Sequence, residues 1–414
     1  MPIKWKPRTR FKPEVILRKI EAARTVNPRG GASFKGFELE EHLPALQSML
    51  EFPSAAGGMD KHSLVWKSLS RAGSSLTPES FLAAINEALS AQLSVQESQY
   101  HLLTSLSLNP SGLPRKTSVL GCSVELYEKP HARKYGDRDR IIKEKKVKVE
   151  STPAGYCNVM VKVTAKSPTS AYNKSMDALD LMRALLCLMG NPRMTFYFLG
   201  SQAHDPINVV RLGSRHTVHF PNGQSVADAL WYEPGFVPAK PYLFKQSDVV
   251  VGNLRWALRH ILQSSYRDKL VSSLLRFVRA LDHSDPNTAY LRLWGALEEL
   301  TTPGAADYEK LVRRCAFLFR EHDYHLQVLE HLREYRNSNV HAGEESQAAK
   351  THCFQLQMYY VNAAWFYIRN GKRFANLDEA NQFLDLPPDV PKLRSRLKLI
   401  KGAIKFMTPR AAEE

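Results

Sequence analysis

The sequence predicts an α+β protein in which a mixed, sensor-like region of helices and strands precedes an all-helical C-terminal bundle. Three observations predict it. The hydrophobic period is helical up to about residue 94, becomes partly alternating between residues 95 and 245, and returns to helical from about Val250. β-Branched residues gather in the middle stretch. The chain has 414 residues, too many for one ordinary core of about 100–200 residues, and its 43% apolar and 10% aromatic content is enough to fill more than one.

The elements follow in chain order. Residues 13 to 24 and 37 to 51 carry short helical patterns, separated by the breaker NPRGGAS and followed by SAAGG at 54 to 58. Thr77-Pro78-Glu79-Ser80 reads as an N-cap with proline in the first turn, opening a helix to about residue 93. YHLLTSLSL (100 to 108), SVLGCSVELY (118 to 127) and NVMVKVTA (158 to 165) read as strands of one mixed or antiparallel sheet. Between the last two, PHARKYGDRDRIIKEKKVKVE reads as a solvated loop or hairpin tip, with its basic part, 133 to 148, a candidate for substrate contact. Met176, Leu179, Met182, Leu186 and Met189 recur at helical spacing before Gly190-Asn191-Pro192 stops the helix. Two further strands are expected around TFYFLG and RHTVHF.

From Val250 the stretches NLRWALRHIL, DKLVSSLLRFVRAL, AYLRLWGALEEL, YEKLVRRCAFLF, LQVLEHLREY and CFQLQMYYVNAAWFYI all carry helical periodicity and pack most simply as a bundle. The expected organisation is a helical region at 1–94, an α+β domain at 95–245, a bundle at 250–390 and a basic tail at 391–414.

A net charge of +16 favours polyanionic partners such as RNA, DNA or acidic lipid. The cations gather at Lys4 to Lys12, Arg133 to Lys148 and Lys392 to Lys405. Five cysteines stand far apart without a Cys-x-x-Cys pair, so neither a zinc knuckle nor a disulfide framework is expected and the thiols read as reduced and buried. The N-terminus lacks the apolar segment of a signal peptide and no stretch approaches the roughly 18 apolar residues of a membrane span, which predicts a cytoplasmic protein without membrane contact. Residues 95 to 245 show no glycine-rich phosphate loop, serine elbow or metal-ligand spacing, and no cofactor and no metal are expected.

Arg336-Asn337-Ser338-Asn339-Val340-His341 sets a permanent cation and a group titrating near neutrality at the end of one helical stretch. Imidazole can move the proton of a 2′-hydroxyl or of a leaving 5′-oxygen, and guanidinium can stabilise charge building on phosphate. RNA supplies its own nucleophile. The spacing alone is common: Arg211/His216, Arg255/His260 and Arg320/His325 share it. Arg336 differs in being followed by Asn337.

That context resembles the HEPN superfamily, particularly its Apea-like branch among bacterial abortive-infection proteins. The family motif is Arg, then Asn, Asp or His, then further residues and His, and Val340-His341-Ala342-Gly343 resembles its usual close, with Ala342 standing where glycine commonly follows the histidine. LRLWGALEEL resembles the family helix that carries an acidic residue, matched here by Glu298, although Glu299 is adjacent. CFQLQMYYVNAAWFYI and FLDL resemble the closing segments, so the likeness spans about residues 250 to 386.

The resemblance implies a metal-independent endoribonuclease that leaves a 2′,3′-cyclic phosphate and a 5′-hydroxyl. His341 would be general acid or base, Arg336 the phosphate stabiliser, Asn337 a polar positioner and Glu298 an orienting carboxylate. It also implies a homodimer with a composite cleft and a toxin-like role in anti-phage defence, with the α+β region sensing a phage-derived trigger or restraining the nuclease. Residues five apart on a straight helix are rotated by about 140°, so Arg336 and His341 share a face only if the helix ends or bends near Ser338-Asn339 or two chains meet. The alternative is a non-catalytic HEPN module that binds RNA or protein.

Overall fold

The computed structural model describes residues 1–8, 10–26, 32–57, 59–71, 75–129, 131, 133–195, 205–304, 307–342 and 348–408. The fold is α+β, with a sheet-containing N-terminal portion and C-terminal helices.

The opening portion packs helices α1 (Pro13–Ala22), α2 (Gly36–Ser48), α3 (Lys61–Arg71) and α4 (Pro78–Ser94) with two short antiparallel ribbons, β1 (Lys4–Trp5) on β4 (Leu50–Glu51) and β2 (Arg24–Val26) on β3 (Ala32–Phe34). Helix α3 and the ribbons exceed what the sequence pattern indicates. Thr77 caps α4 as its sequence foretells: its side chain accepts from the Ser80 backbone N–H, and Ser80 closes the capping box. Leu17, Leu43, Val65, Phe81 and Ile85 belong to a core of their own, separate from the rest of the molecule.

The central sheet has six strands in the order β10-β9-β5-β8-β7-β6. They are β5 (Ser98–Leu106), β6 (Lys116–Val119), β7 (Cys122–Tyr127), β8 (Cys157–Ala165), β9 (Arg215–His219) and β10 (Ser225–Tyr232). Every pairing is antiparallel. The stretch 118–127, expected as one strand, is instead a hairpin. Leu120 (φ 48°) and Gly121 (φ 78°) both occupy the left-handed region, as a two-residue turn matched to strand twist requires, and Val119 pairs with Cys122. The strand expected at TFYFLG lies, beyond Thr195, outside the described residues.

The segment expected as a solvated loop is partly structural. Tyr135 is buried, α5 (Asp137–Glu144) follows it, and Arg138 donates to the Leu103 carbonyl at 3.0 Å, to Thr217 Oγ1 at 2.8 Å and to the Arg215 carbonyl at 3.1 Å. Adjacent β5 residues point to opposite faces, so Leu102 joins the main core while Leu103 packs with Tyr135 and Met160.

Helix α6 (Pro168–Gly190) packs against the sheet on one side and the bundle on the other, so nearly its whole circumference is buried rather than the single stripe visible in sequence. The bundle comprises α7 (Ser247–Leu262), α8 (Arg267–Ala280), α9 (Pro286–Thr301), α10 (Tyr308–Ala316), α11 (His322–Ala342), α12 (Ala349–Asn370) and α13 (Leu377–Leu384). Sheet, α6 and bundle share one continuous hydrophobic core, which includes Trp294, Phe277 and Tyr360, the last two stacked at 4.5 Å. The basic end forms α14 (Val390–Met407), which has no buried residue. All five cysteines are buried free thiols.

Candidate functional site

Helix α9 begins at Asp285, whose carboxylate accepts from the backbone N–H groups of Asn287 and Thr288, with Pro286 in the first turn. Ala289, Leu293, Ala296, Leu297 and Leu300 turn inward. This orientation separates the two neighbouring acids. Glu299 points toward α8 and pairs with Lys269 at 2.9 Å and Arg276 at 3.5 Å. Glu298 lies within electrostatic range of the Arg336 guanidinium on α11, without a direct ion pair. Burial is the larger influence on Glu298 and raises its pKa above the usual carboxylate range, with Arg336 pulling it back down.

Arg336 is held from a helix that sequence reasoning had not connected to it. Its Nη2 donates to the Tyr308 hydroxyl at 2.5 Å, and its guanidinium stands 4.3 Å from the Tyr308 ring centroid. Tyr308 in turn packs edge-on against Trp294 at 6.1 Å. The Trp294 indole and the Tyr308 hydroxyl both face the Glu298 carboxylate. Yet the buried Trp294 Nε1 and Glu298 Oε1 atoms each lack a partner in hydrogen-bond geometry. Glu298 also lines a recess of about 180 Å³ with Gly295, Thr302 and Gly304. The arrangement therefore offers a fixed cation and an acceptor atom still uncommitted, beside a recess whose lining also includes Glu299 and Arg276.

Asn337 is half-buried one position beyond Arg336. His341 belongs to α11 by its backbone, while its side chain lies outside the described residues, as do residues 343–347. The helix does not end at Ser338-Asn339: α11 runs through to Ala342. Asn287, at the start of α9, braces this segment by accepting from the Tyr335 hydroxyl and from Asn339 Nδ2 at 3.5 Å. On this regular helix Arg336 and His341 are separated by about 140° of rotation.

The other three copies of the same spacing have structural employment. His216 is buried between Thr104 Oγ1 at 2.7 Å and Glu233 at 3.1 Å. His260 Nδ1 contacts the Trp256 carbonyl at 2.8 Å, and His325 Nδ1 contacts the Tyr359 hydroxyl at 3.0 Å. Among the described residues no three His, Cys, Asp or Glu side chains form a metal-sized group, and no helix is long and apolar enough to cross a membrane.

Comparison with known proteins adds no relative: no family model, curated protein or solved structure matches this chain.

Proposed function

We propose that this chain is a metal-independent endoribonuclease of the HEPN kind, acting in anti-phage defence, with Arg336 and His341 at its reacting centre. The observation that carries the proposal is the seating of Arg336. A guanidinium clamped on the Tyr308 ring, within electrostatic range of the half-buried Glu298, has a fixed direction, and a fixed cation stabilises developing phosphate charge without reorganising first.

In the proposed reaction the substrate's 2′-oxygen attacks the adjacent phosphorus while the bond from phosphorus to the 5′-oxygen breaks. The 2′-hydroxyl proton leaves to a base and a proton is returned to the 5′-oxygen, yielding a 2′,3′-cyclic phosphate and a free 5′-hydroxyl. His341 serves one of these proton transfers and Arg336 the charge on the non-bridging oxygens. Asn337 helps position the phosphate, and Glu298 orients Arg336. Because α11 continues past His341, Arg336 of one chain and His341 of a second copy are proposed to meet in a composite cleft. A homodimer is part of the proposal.

The test is incubation of total tRNA and a structured mRNA with wild type and His341→Ala in excess EDTA. General acid–base loss costs about 10²–10⁴ in rate, so the variant is expected to be inert on the same timescale. RNA that is bound and never cut by the wild type overturns the nuclease and leaves a non-catalytic RNA-binding module.

A further inference from the structure

Where the sheet meets the bundle lies a cavity of about 300 Å³, at the small end of the range for small-molecule sites. One wall is the segment after β10, including Pro234, Phe236 and Val237, and the other is the turn between α8 and α9 with the exposed Arg292 of α9. Its acids are already committed inside the protein. Glu233 accepts from Arg279 at 3.0 and 3.1 Å and from His216 at 3.1 Å. Asp282 accepts from Arg183 at 2.6 and 2.8 Å and from Asn208 at 2.8 Å.

Two lining cations are not committed in this way. Arg211 reaches the Pro238 carbonyl at 3.4 Å through Nη2 alone, and its Nε and Nη1 are buried without any hydrogen-bond partner. Arg292 has no ion-pair partner among the described residues. Buried guanidinium N–H groups left without acceptors are costly, and their fork geometry fits phosphate. The opposing surface of Phe236 and Val237 is apolar.

We infer that this cavity binds a small phosphomonoester, its phosphate held by Arg211 and Arg292 and its apolar or aromatic body laid against Phe236 and Val237. The volume of about 300 Å³ suits a small phosphomonoester. Arg292 and Glu298 lie on the same helix, α9. The binding itself does not depend on the nuclease reading and is measured without RNA.

The experiment is isothermal titration of the full chain with AMP and, separately, with inorganic phosphate. Wild type is expected to bind AMP saturably at one site, with phosphate competing more weakly. Arg292→Glu and Arg211→Gln should each weaken AMP by about tenfold or more, the scale of one lost charge-assisted contact. Phe236→Ala should weaken AMP while leaving phosphate unchanged, and Arg394→Glu on α14, which does not line the cavity, should change neither. Absence of saturable binding by both probes at millimolar concentration overturns the inference. So does AMP binding that survives both arginine substitutions, or that is lost equally in Arg394→Glu. Arg292 is exposed, so its variant keeps the test valid even if Arg211→Gln unfolds.

Discussion

Replacing Arg183 by methionine should destabilise the unit formed by sheet and bundle by about 3 kcal/mol, the low end of the range for removing one member of a buried ion group. Arg183 is fully buried in α6 and makes four contacts. It donates to Asp180 Oδ1 at 2.6 Å, to the two Asp282 oxygens at 2.8 and 2.6 Å, and to the Val210 carbonyl at 3.2 Å. Burial opposes its charge, but Asp282 and Asp180 more than offset this and hold its pKa above the ordinary guanidinium value. In Arg183→Met, Asp180 retains Arg279 at 2.5 Å, whereas Asp282 retains only Asn208 at 2.8 Å. The Asp282 side chain is 22% exposed, so solvent softens the loss and the low end applies. Adding Asp282→Asn removes the stranded charge and should recover about 1–2 kcal/mol. The assay is guanidinium unfolding followed by tryptophan fluorescence and circular dichroism. The N-terminal helices have a separate core, so their transition should stay in place while the other moves. A loss below about 1 kcal/mol, or strict additivity of the two substitutions, would show that the ion group does not join α6 to the bundle in the way described.

Three further outcomes are expected. Tyr308→Phe keeps the ring under Arg336 and deletes the hydroxyl that accepts from Nη2; RNA cleavage should fall about tenfold while stability changes by no more than about 1 kcal/mol, and an unchanged rate would detach Tyr308 from the site. His101 and His131 are pushed down to about 4, chiefly by burial and then by Lys162 and Lys134 for His101 and by Arg138 for His131. Their unfolded forms bind protons more readily, so stability is full above the unfolded value near 6.5 and is lost as pH falls toward 4; at pH 5 each ring contributes a loss of at most about 2 kcal/mol, read as a lower urea midpoint than at pH 7. Leu397 and Ile404 on α14 are 51% and 61% exposed, so changing both to serine should leave stability within about 0.5 kcal/mol, and a larger loss would reveal packing of α14 against the fold.

Local chemistry made much of the architecture legible. The apolar spacing of α7 to α12, the Thr77 cap with Pro78, and the alternating stretches that became β5 and β8 are written within a few residues of one another, and short-range periodicity determines them. The α+β class and the buried, unpaired cysteines followed from the same reading. Features that depend on distant residues were not legible. Glu298 and Glu299 are adjacent acids in sequence, and only the packing of α9 between α8 and α11 sends one to Lys269 and the other to Arg336. Nothing in YEKL marks Tyr308 as the seat of that arginine, 28 residues away. Arg138 reads as one cation in a basic run until strands β5 and β9 present it with two carbonyls and a hydroxyl. A charge within a sequence pattern is cheap on the surface and costly inside. Which side of that divide each one occupies is set by the elements that fold against it, and that is what the tertiary structure alone decided.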